Sequence, residues 1–186
     1  VRRFDRSHPL PAAAFRDVTH VLSSIPPDEM GDPVLDLHLP DLGALPGLRW
    51  VGWLGTTGVY GDRGGAWVDE ETPIEPTMAR TDRRARAEAA WLASGLPVHI
   101  FRLAGIYGPG RNAIRQLLDG TARRIVKPGQ VFSRIHVEDI ASVLEASMAR
   151  PNPGRIYNVC DDEPAPPQDV VTFAAELLGV PPPPEE

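Results

Sequence analysis

The segment that most constrains the fold of this chain is an apolar run that ends abruptly in glycines and hydroxyl residues. Residues 48–54 read LRWVGWL, and residues 55–61 continue as GTTGVYG. A β-branched and aromatic run followed by glycines is typical of a buried parallel strand that delivers polar groups to the carboxyl edge of its sheet. A dinucleotide-binding fold also has a G-x-G-x-x-G turn after its first strand, and the sequence upstream contains none. The pattern therefore predicts part of a nucleotide-cofactor site without its phosphate-binding turn.

The rest of the sequence alternates predicted strands with predicted helices. Short apolar and β-branched runs predict strands at residues 18–24, 48–54, 98–103 and 156–159. Helix-forming composition or an apolar spacing of three to four predicts helices at residues 35–45, 80–93, 112–119 and 137–149, and a last helix from Pro167 to a stop at Gly179. Residues 61–77 predict a long loop, and residues 125–132 predict a hairpin that turns at Lys127-Pro128-Gly129-Gln130. Strands that alternate with helices through short connections predict an α/β protein with a parallel sheet.

Composition argues against several classes of partner. The formal net charge of −6 and the pI of about 5.4 argue against a nucleic-acid backbone or an anionic membrane as the main partner. No apolar run approaches the ~20 residues that a membrane span needs. The single Cys160 cannot form an internal disulfide and suits a reducing compartment, so we expect a cytoplasmic protein. The five histidines show no metal-ligand spacing, so no metal site is predicted.

The two ends of the sequence predict a piece of a longer protein. The first residue is Val1 rather than methionine, and the chain stops in PPPPEE at residues 181–186. Such a tail predicts an extended, polyproline-type linker. If a strand is missing upstream, the strand predicted at residues 18–24 becomes an exposed edge of the sheet.

Four motifs in a fixed order carry a resemblance to a known family. They are TTGVYG at 56–61, RLAGIYGPG at 102–110, IHVEDI at 135–140 and YNV at 157–159. In order and spacing they resemble the extended short-chain dehydrogenase/reductases, the NAD-dependent epimerase/dehydratase family. The resemblance implies a partial Rossmann-type parallel sheet flanked by helices, a bound NAD or NADP, and a small-molecule substrate that is sugar-like or related.

The same resemblance implies a division of the chain into three parts. Residues 1–110 correspond to the later part of the cofactor-binding domain, residues 111–155 to a substrate region with a hairpin and a helix, and residues 156–186 to the last strand, the last helix and the Pro-rich tail.

The resemblance also assigns residues to the site. Thr56 matches the family's Ser/Thr that hydrogen-bonds the reacting oxygen, a task suited to a hydroxyl because it both donates and accepts. The alternative is that Thr56 only caps the turn after its strand. The residues expected to contact the cofactor are Ser24, Ile25, Thr56, Arg84, Leu103, Gly105 and Ile106. The residues expected to contact the substrate are Tyr107, Arg111 and Arg134.

The position of the family's catalytic base departs from the pattern. The family has a Tyr followed four residues later by a Lys, whose ammonium lowers the phenol's pKa from ~10 toward neutrality. Aligned through Glu88, these positions carry Arg80 and Arg84, and arginine stays protonated. Arg84 could contact a ribose or phosphate, or it could pair with Glu88 on a solvated helix face. Tyr60 or Tyr107 could replace the missing phenol, and Tyr60 joins Thr56 as a catalytic candidate.

Two functions remain open from the sequence. One is an NAD(P)-dependent oxidoreductase, epimerase or dehydratase, and the other is an NAD(P)-binding sensor or scaffold of the same fold without turnover. An incomplete chain with no activity of its own is a third outcome, and a homodimer is left open.

Overall fold

The structure is a computed structural model that describes all 186 residues, and they group into two compact units. The first unit, called unit 1, contains Val1–Gly61, Val68–Leu103 and Leu144–Asn158. The second, called unit 2, contains Asp62–Trp67, Ala104–Val143 and Val159–Glu186.

Six strands and five α-helices make up the regular structure. The strands are β1 (His20–Ser23), β2 (Trp50–Thr56), β3 (Val98–Leu103), β4 (Gly105–Tyr107), β5 (Arg134–His136) and β6 (Ile156–Val159). The helices are α1 (Pro33–Gly43), α2 (Ala79–Ala93), α3 (Ala113–Leu118), α4 (Val137–Ala149) and α5 (Pro167–Leu178).

The main sheet has the strand order β1-β2-β3-β6. Strand β2 runs parallel to both of its neighbours, with Val51 opposite Val98 and Thr56 opposite Leu103. Strand β6 is also parallel to β3. The amides of Ile100 and Ala104 donate to the carbonyls of Arg155 and Val159, so residue numbers increase in the same direction along both strands. The predicted α/β fold with a parallel sheet flanked by helices is therefore confirmed.

Strands β2 and β3 form the centre of the sheet because most of their residues are apolar and buried. Every residue of β3 is buried, and Trp53, Trp91 and Ile100 are among the side chains with no exposed surface. Strand β1 lies at the end of the strand order, and half of the surface of Leu22 is exposed there. The edge predicted at residues 18–24 is thus present.

A buried carboxylate connects helix α1 to this core. One oxygen of Asp32 accepts the backbone N–H groups of Val34 and Leu35, at 2.9 and 3.3 Å, and so caps the first turn of α1. Its other oxygen accepts the indole N–H groups of Trp53 and Trp91, at 3.0 and 2.9 Å. Four donors therefore satisfy a side chain that is only 3% exposed.

The predicted hairpin at residues 125–132 is wrong. The turn is present, because the Gln130 amide donates to the Lys127 carbonyl at 3.1 Å. Its flanks do not pair with each other: Phe132 bridges to Ala165, and Arg124 bridges to Glu185. A two-stranded hairpin buries little surface by itself, so distant segments of unit 2 compete successfully for these backbone groups.

The Pro-rich tail has partners at its last two residues. The Glu186 amide donates to the Arg124 carbonyl at 3.0 Å, and the side chains of Glu185 and Glu186 pair with Arg124 and Arg123 respectively. The last residues of the predicted linker are therefore docked within unit 2.

Candidate functional site

Thr56 lies at the carboxyl end of β2 and begins the candidate site. The next four residues, Thr57–Tyr60, form one 3-10 turn, and the Thr56 hydroxyl accepts the Gly58 N–H at 3.1 Å. The capping role considered as the alternative is therefore observed. Because the Gly58 N–H occupies a lone pair of this oxygen, the hydroxyl keeps its own proton to donate. Contact with a reacting oxygen remains a prediction for Thr56.

Helix α2 packs closely against this turn. A Cβ added to Gly58 would lie 3.1 Å from the methyl group of Thr81 and 3.3 Å from the Thr56 hydroxyl. Gly61 ends the turn at φ 73°, where a Cβ would lie 2.2 Å from the Glu75 carbonyl oxygen. Glycines at these two positions allow α2 and the following loop to approach the end of β2.

Arg84 extends from α2 to the same strand end. Its Nη1 donates to the Leu54 carbonyl at 2.8 Å, and its Cζ lies 5.7 Å from the ring centroid of Trp53. Burial lowers the pKa of the Arg84 guanidinium, and the charge of Arg80 adds to this, while Asp32 acts in the opposite direction. Arg84 remains a predicted cofactor-binding residue.

The considered pairing of Arg84 with Glu88 is wrong, because Glu88 is engaged inside unit 1. Its carboxylate accepts Nη2 and Nε of Arg102, at 2.6 and 3.2 Å. Burial alone would lower the pKa of Arg102, but the hydrogen bonds and charge of Glu88 outweigh it and hold that pKa above its usual value. The register of α2 against β3 therefore places the carboxylate beside Arg102.

Tyr60 continues this buried network. Its phenol oxygen accepts Nη1 of Arg102 at 2.6 Å and donates to Oδ1 of Asn158 at 2.8 Å. The Tyr60 side chain is 2% exposed. Catalysis by Tyr60 remains a prediction, but its phenol already has a donor and an acceptor.

Other residues predicted for the cofactor lie at the same edge of unit 1. Ser24 and Ile25 follow β1 directly, Ser24 exposed and Ile25 half-buried. Leu103 is buried opposite Thr56. The Ser23 hydroxyl is buried without a hydrogen-bond partner. The unpartnered Ser23 hydroxyl and the available proton of the Thr56 hydroxyl lie at the carboxyl ends of neighbouring strands, on the same edge of the sheet. Such an edge fits a polar ligand such as a dinucleotide.

The remaining predicted residues lie in unit 2. Gly105 and Ile106, whose contact with the cofactor stays a prediction, form β4 and pair with β5. Tyr107 is exposed, and its ring meets the edge of the His136 ring at a centroid distance of 5.2 Å. Arg111 is exposed, and its backbone pairs with Gly108.

Arg134 supports backbone within unit 2. Its Nη1 donates to the carbonyls of Phe132 and Ala165, at 2.9 and 3.1 Å. This guanidinium therefore holds two distant segments together, and contact with a substrate stays a prediction.

Sequence reasoning considered Glu88 only as a partner of Arg84 and gave Asn158 no role of its own, so it missed both as members of this network. The available signal was a charged Arg102 within an otherwise apolar strand, because a buried guanidinium requires a carboxylate partner. No group of three or more His, Cys, Asp or Glu side chains is arranged to hold a metal ion. None of the helices combines the length and apolar character needed to cross a membrane.

Comparison with curated proteins finds relatives over most of this chain. No family model matches. "Protein YeeZ" from Escherichia coli K12 is 36% identical over 133 residues, which are 69% of this chain and 46% of YeeZ. A Streptomyces protein named 3-diazoavenalumate denitrifying reductase is 32% identical over 130 residues, covering 62% of this chain and 42% of that protein. The chain spans a little under half the length of these relatives.

Solved structures share the fold. A conserved protein of unknown function from Silicibacter pomeroyi is 60% identical with a TM-score of 0.86, over 92% of this chain and 62% of that one. A protein from Methylobacillus flagellatus, assigned to the NAD-dependent epimerases/dehydratases, is 31% identical with a TM-score of 0.68, over 83% and 57%. The dTDP-glucose 4,6-dehydratase of Bacillus anthracis, in complex with NAD, is 23% identical with a TM-score of 0.76, over 93% and 61%.

The fold of this chain is Rossmann-type, because its sheet is parallel and carries polar groups at the carboxyl ends of the strands. More narrowly, the predicted resemblance to the NAD-dependent epimerase/dehydratase family is confirmed, because solved structures that share this fold are members of that family and match the chain over part of their length.

Proposed function

We propose that this chain contributes the catalytic edge of an NAD(P)-dependent oxidoreductase of the epimerase/dehydratase type. The observation that carries the proposal is the Thr56 hydroxyl, whose lone pair is held by Gly58 at 3.1 Å while its proton remains available. A donor oriented in this way stabilises negative charge that develops on a substrate oxygen. The proposed substrate is a sugar-like or related small molecule, because a dTDP-glucose dehydratase shares the fold.

The proposed cofactor is NAD or NADP. Its support is that a neighbour of the same fold is in complex with NAD and another with NADPH. When bound, the nicotinamide supplies hydride transfer to or from a carbon bearing oxygen. The residues that would contact it in unit 1 are those at the strand ends, Ser24, Ile25, Thr56 and Leu103, together with Arg84.

A non-catalytic NAD(P)-binding sensor of the same fold is the second candidate. Two observations favour it: Arg80 and Arg84 occupy the positions of the family's Tyr and Lys, and the Tyr60 phenol is engaged by Arg102 and Asn158. Unit 1 therefore offers no evident proton shuttle at the position where the family has one.

Titration with NADH and NADPH, followed by tests of hydride transfer on sugar nucleotides, separates the two candidates. Both measurements use this chain and a chain extended upstream of Val1, because the relatives are about twice as long. We expect Thr56→Ala to reduce turnover about 10²- to 10³-fold with a smaller effect on dinucleotide affinity, and Thr56→Ser to retain most activity.

Dinucleotide binding without turnover by any variant would support the sensor instead. Absence of NADH and NADPH binding by both chains would refute both candidates. Thr57→Ala is the matched control, because that hydroxyl contacts only the Leu103 carbonyl, at 3.5 Å.

A further inference from the structure

The geometry at the end of β2 points to a ligand chemistry that the family assignment does not specify. We propose that Arg84 binds an oxyanion, a carboxylate or phosphate group of the ligand held at the Thr56 edge of unit 1. This inference takes its location from the proposed function, but it concerns the charge of the ligand rather than the reaction.

The first observation is that Arg84 is fixed in place but only partly used. Its Nη1 donates to Leu54, two residues before Thr56, and its Cζ lies 5.7 Å from the Trp53 ring centroid. The donors on Nε and Nη2 have no partner in the protein, yet they are not shielded from solvent. A half-buried guanidinium thus presents two free donors beside the strand end where a ligand is expected.

The second observation is that the carboxylates around helix α2 are already engaged. Asp32 accepts four N–H donors, one of them from the indole of Trp53, and its charge raises the pKa of Arg84 by less than burial and Arg80 lower it. Glu88 is paired with Arg102. Asp82 pairs with Arg86, at 3.0 Å. None of the three forms an ion pair with Arg84.

Arg84 therefore has no ion-pair partner of its own, and its pKa is lowered overall despite the charge of Asp32. Arg80, one helical turn earlier, adds a like charge that lowers the pKa of Arg84 further than burial alone. A partly desolvated cation without a counter-ion is unfavourable, so an anion that binds there removes an existing electrostatic penalty.

The type of cation specifies the anion. The planar guanidinium offers parallel donors that match the oxygens of a carboxylate or phosphate, whereas an ammonium acts as a point charge. Neutral sugar hydroxyls would leave the charge uncompensated. The position aligned with the family's Lys is therefore suited here to an oxyanion.

The test measures anion binding directly, with pyruvate as the carboxylate probe, inorganic phosphate as the phosphate probe, and pyruvamide as an uncharged analogue of pyruvate. Ionic strength is held constant with NaCl. Binding is followed by the Arg84 side-chain Nε–H signal in NMR and by tryptophan fluorescence, because Trp53 lies against the guanidinium. The variants are Arg84→Gln, Arg84→Lys and the matched control Arg86→Gln, an exposed arginine of the same helix.

We expect saturable binding of at least one anion, and none of pyruvamide. Arg84→Gln should weaken it about ten- to a hundredfold, since a hydrogen bond to a charged group is lost. Arg86→Gln should leave the anion affinity unchanged. Arg84→Lys preserves the charge and should bind the anion more tightly than Arg84→Gln, which would show that the loss in Arg84→Gln does not come from misfolding. Tighter phosphate binding would indicate a nucleotide phosphate as the source, and tighter pyruvate binding a substrate carboxylate.

Two results overturn the inference: neither anion saturates the native chain, or Arg84→Gln binds as well as Arg86→Gln. Failure of the proposed function is distinct. Arg84-dependent anion binding without NADH or NADPH binding would remove the function and keep this inference. Dinucleotide binding with anion affinity independent of Arg84 would do the reverse.

Discussion

The buried carboxylate of Asp32 offers a sharp test of the packing in unit 1, through the substitution Asp32→Asn. Asparagine caps helices as well as aspartate, so its carbonyl oxygen can keep the bonds to Val34 and Leu35 at the start of α1. Its amide group, however, places two N–H donors against the indole N–H donors of Trp53 and Trp91, which now lie 3.0 and 2.9 Å from a carboxylate oxygen.

The expected loss follows from these two contacts. Each buried donor left without an acceptor costs about 1–3 kcal/mol, so the two indoles together predict a loss of about 2–6 kcal/mol in the free energy of unfolding. A domain of ordinary stability has about 5–15 kcal/mol in total. With a urea slope of about 2 kcal/mol/M, the unfolding midpoint should fall by about 1–3 M.

Urea unfolding followed by circular dichroism measures this loss. Asp82→Asn is the control, because that aspartate is exposed and pairs only with Arg86 on the helix surface, where a change below about 0.5 kcal/mol is expected. In a background with Trp53→Phe and Trp91→Phe, Asp32→Asn should have little further effect. A loss under about 1 kcal/mol in the native background would refute the reasoning, because it would mean that the indoles find other acceptors.

Two further predictions concern buried ionisable groups. Glu88→Gln leaves the Arg102 guanidinium without its counter-ion and should reduce the free energy of unfolding by about 3–5 kcal/mol. The double variant Glu88→Leu with Arg102→Met should recover much of that loss. If urea unfolding showed the same loss for the single and the double variant, this prediction would be contradicted. Burial lowers the pKa of His99 below 6.5, because it outweighs the hydrogen bond to the Val51 carbonyl, which raises that pKa. The unfolded chain therefore takes up a proton at a higher pH than the folded chain, and the free energy of unfolding should fall as the pH drops through 6.5. A pH series of unfolding midpoints should flatten in His99→Gln but not in His20→Gln, and identical profiles would count against a neutral His99 as the acceptor of the Asn152 N–H.

Local pattern was sufficient for several elements, both long and short. The strands at Val98–Leu103 and Ile156–Val159 and the helix Val137–Ala149 have the predicted bounds. It failed for β4 and β5, because three-residue strands are too short to show a periodicity. It also failed at residues 125–132, where a clear turn signal was outweighed by pairing with segments far along the chain.

The amino-acid order by itself determined the α/β alternation, the parallel sheet and the family resemblance, because these are carried by local spacing and by four short motifs. Only the tertiary structure decided which side chains are available for chemistry. Tyr60 is engaged by Arg102 and Asn158, 42 and 98 residues away, while Arg84 keeps free donors at the strand end. The reason is physical: a hydrogen bond between remote residues depends on the register of packed elements, and that register has no counterpart in any short stretch of sequence.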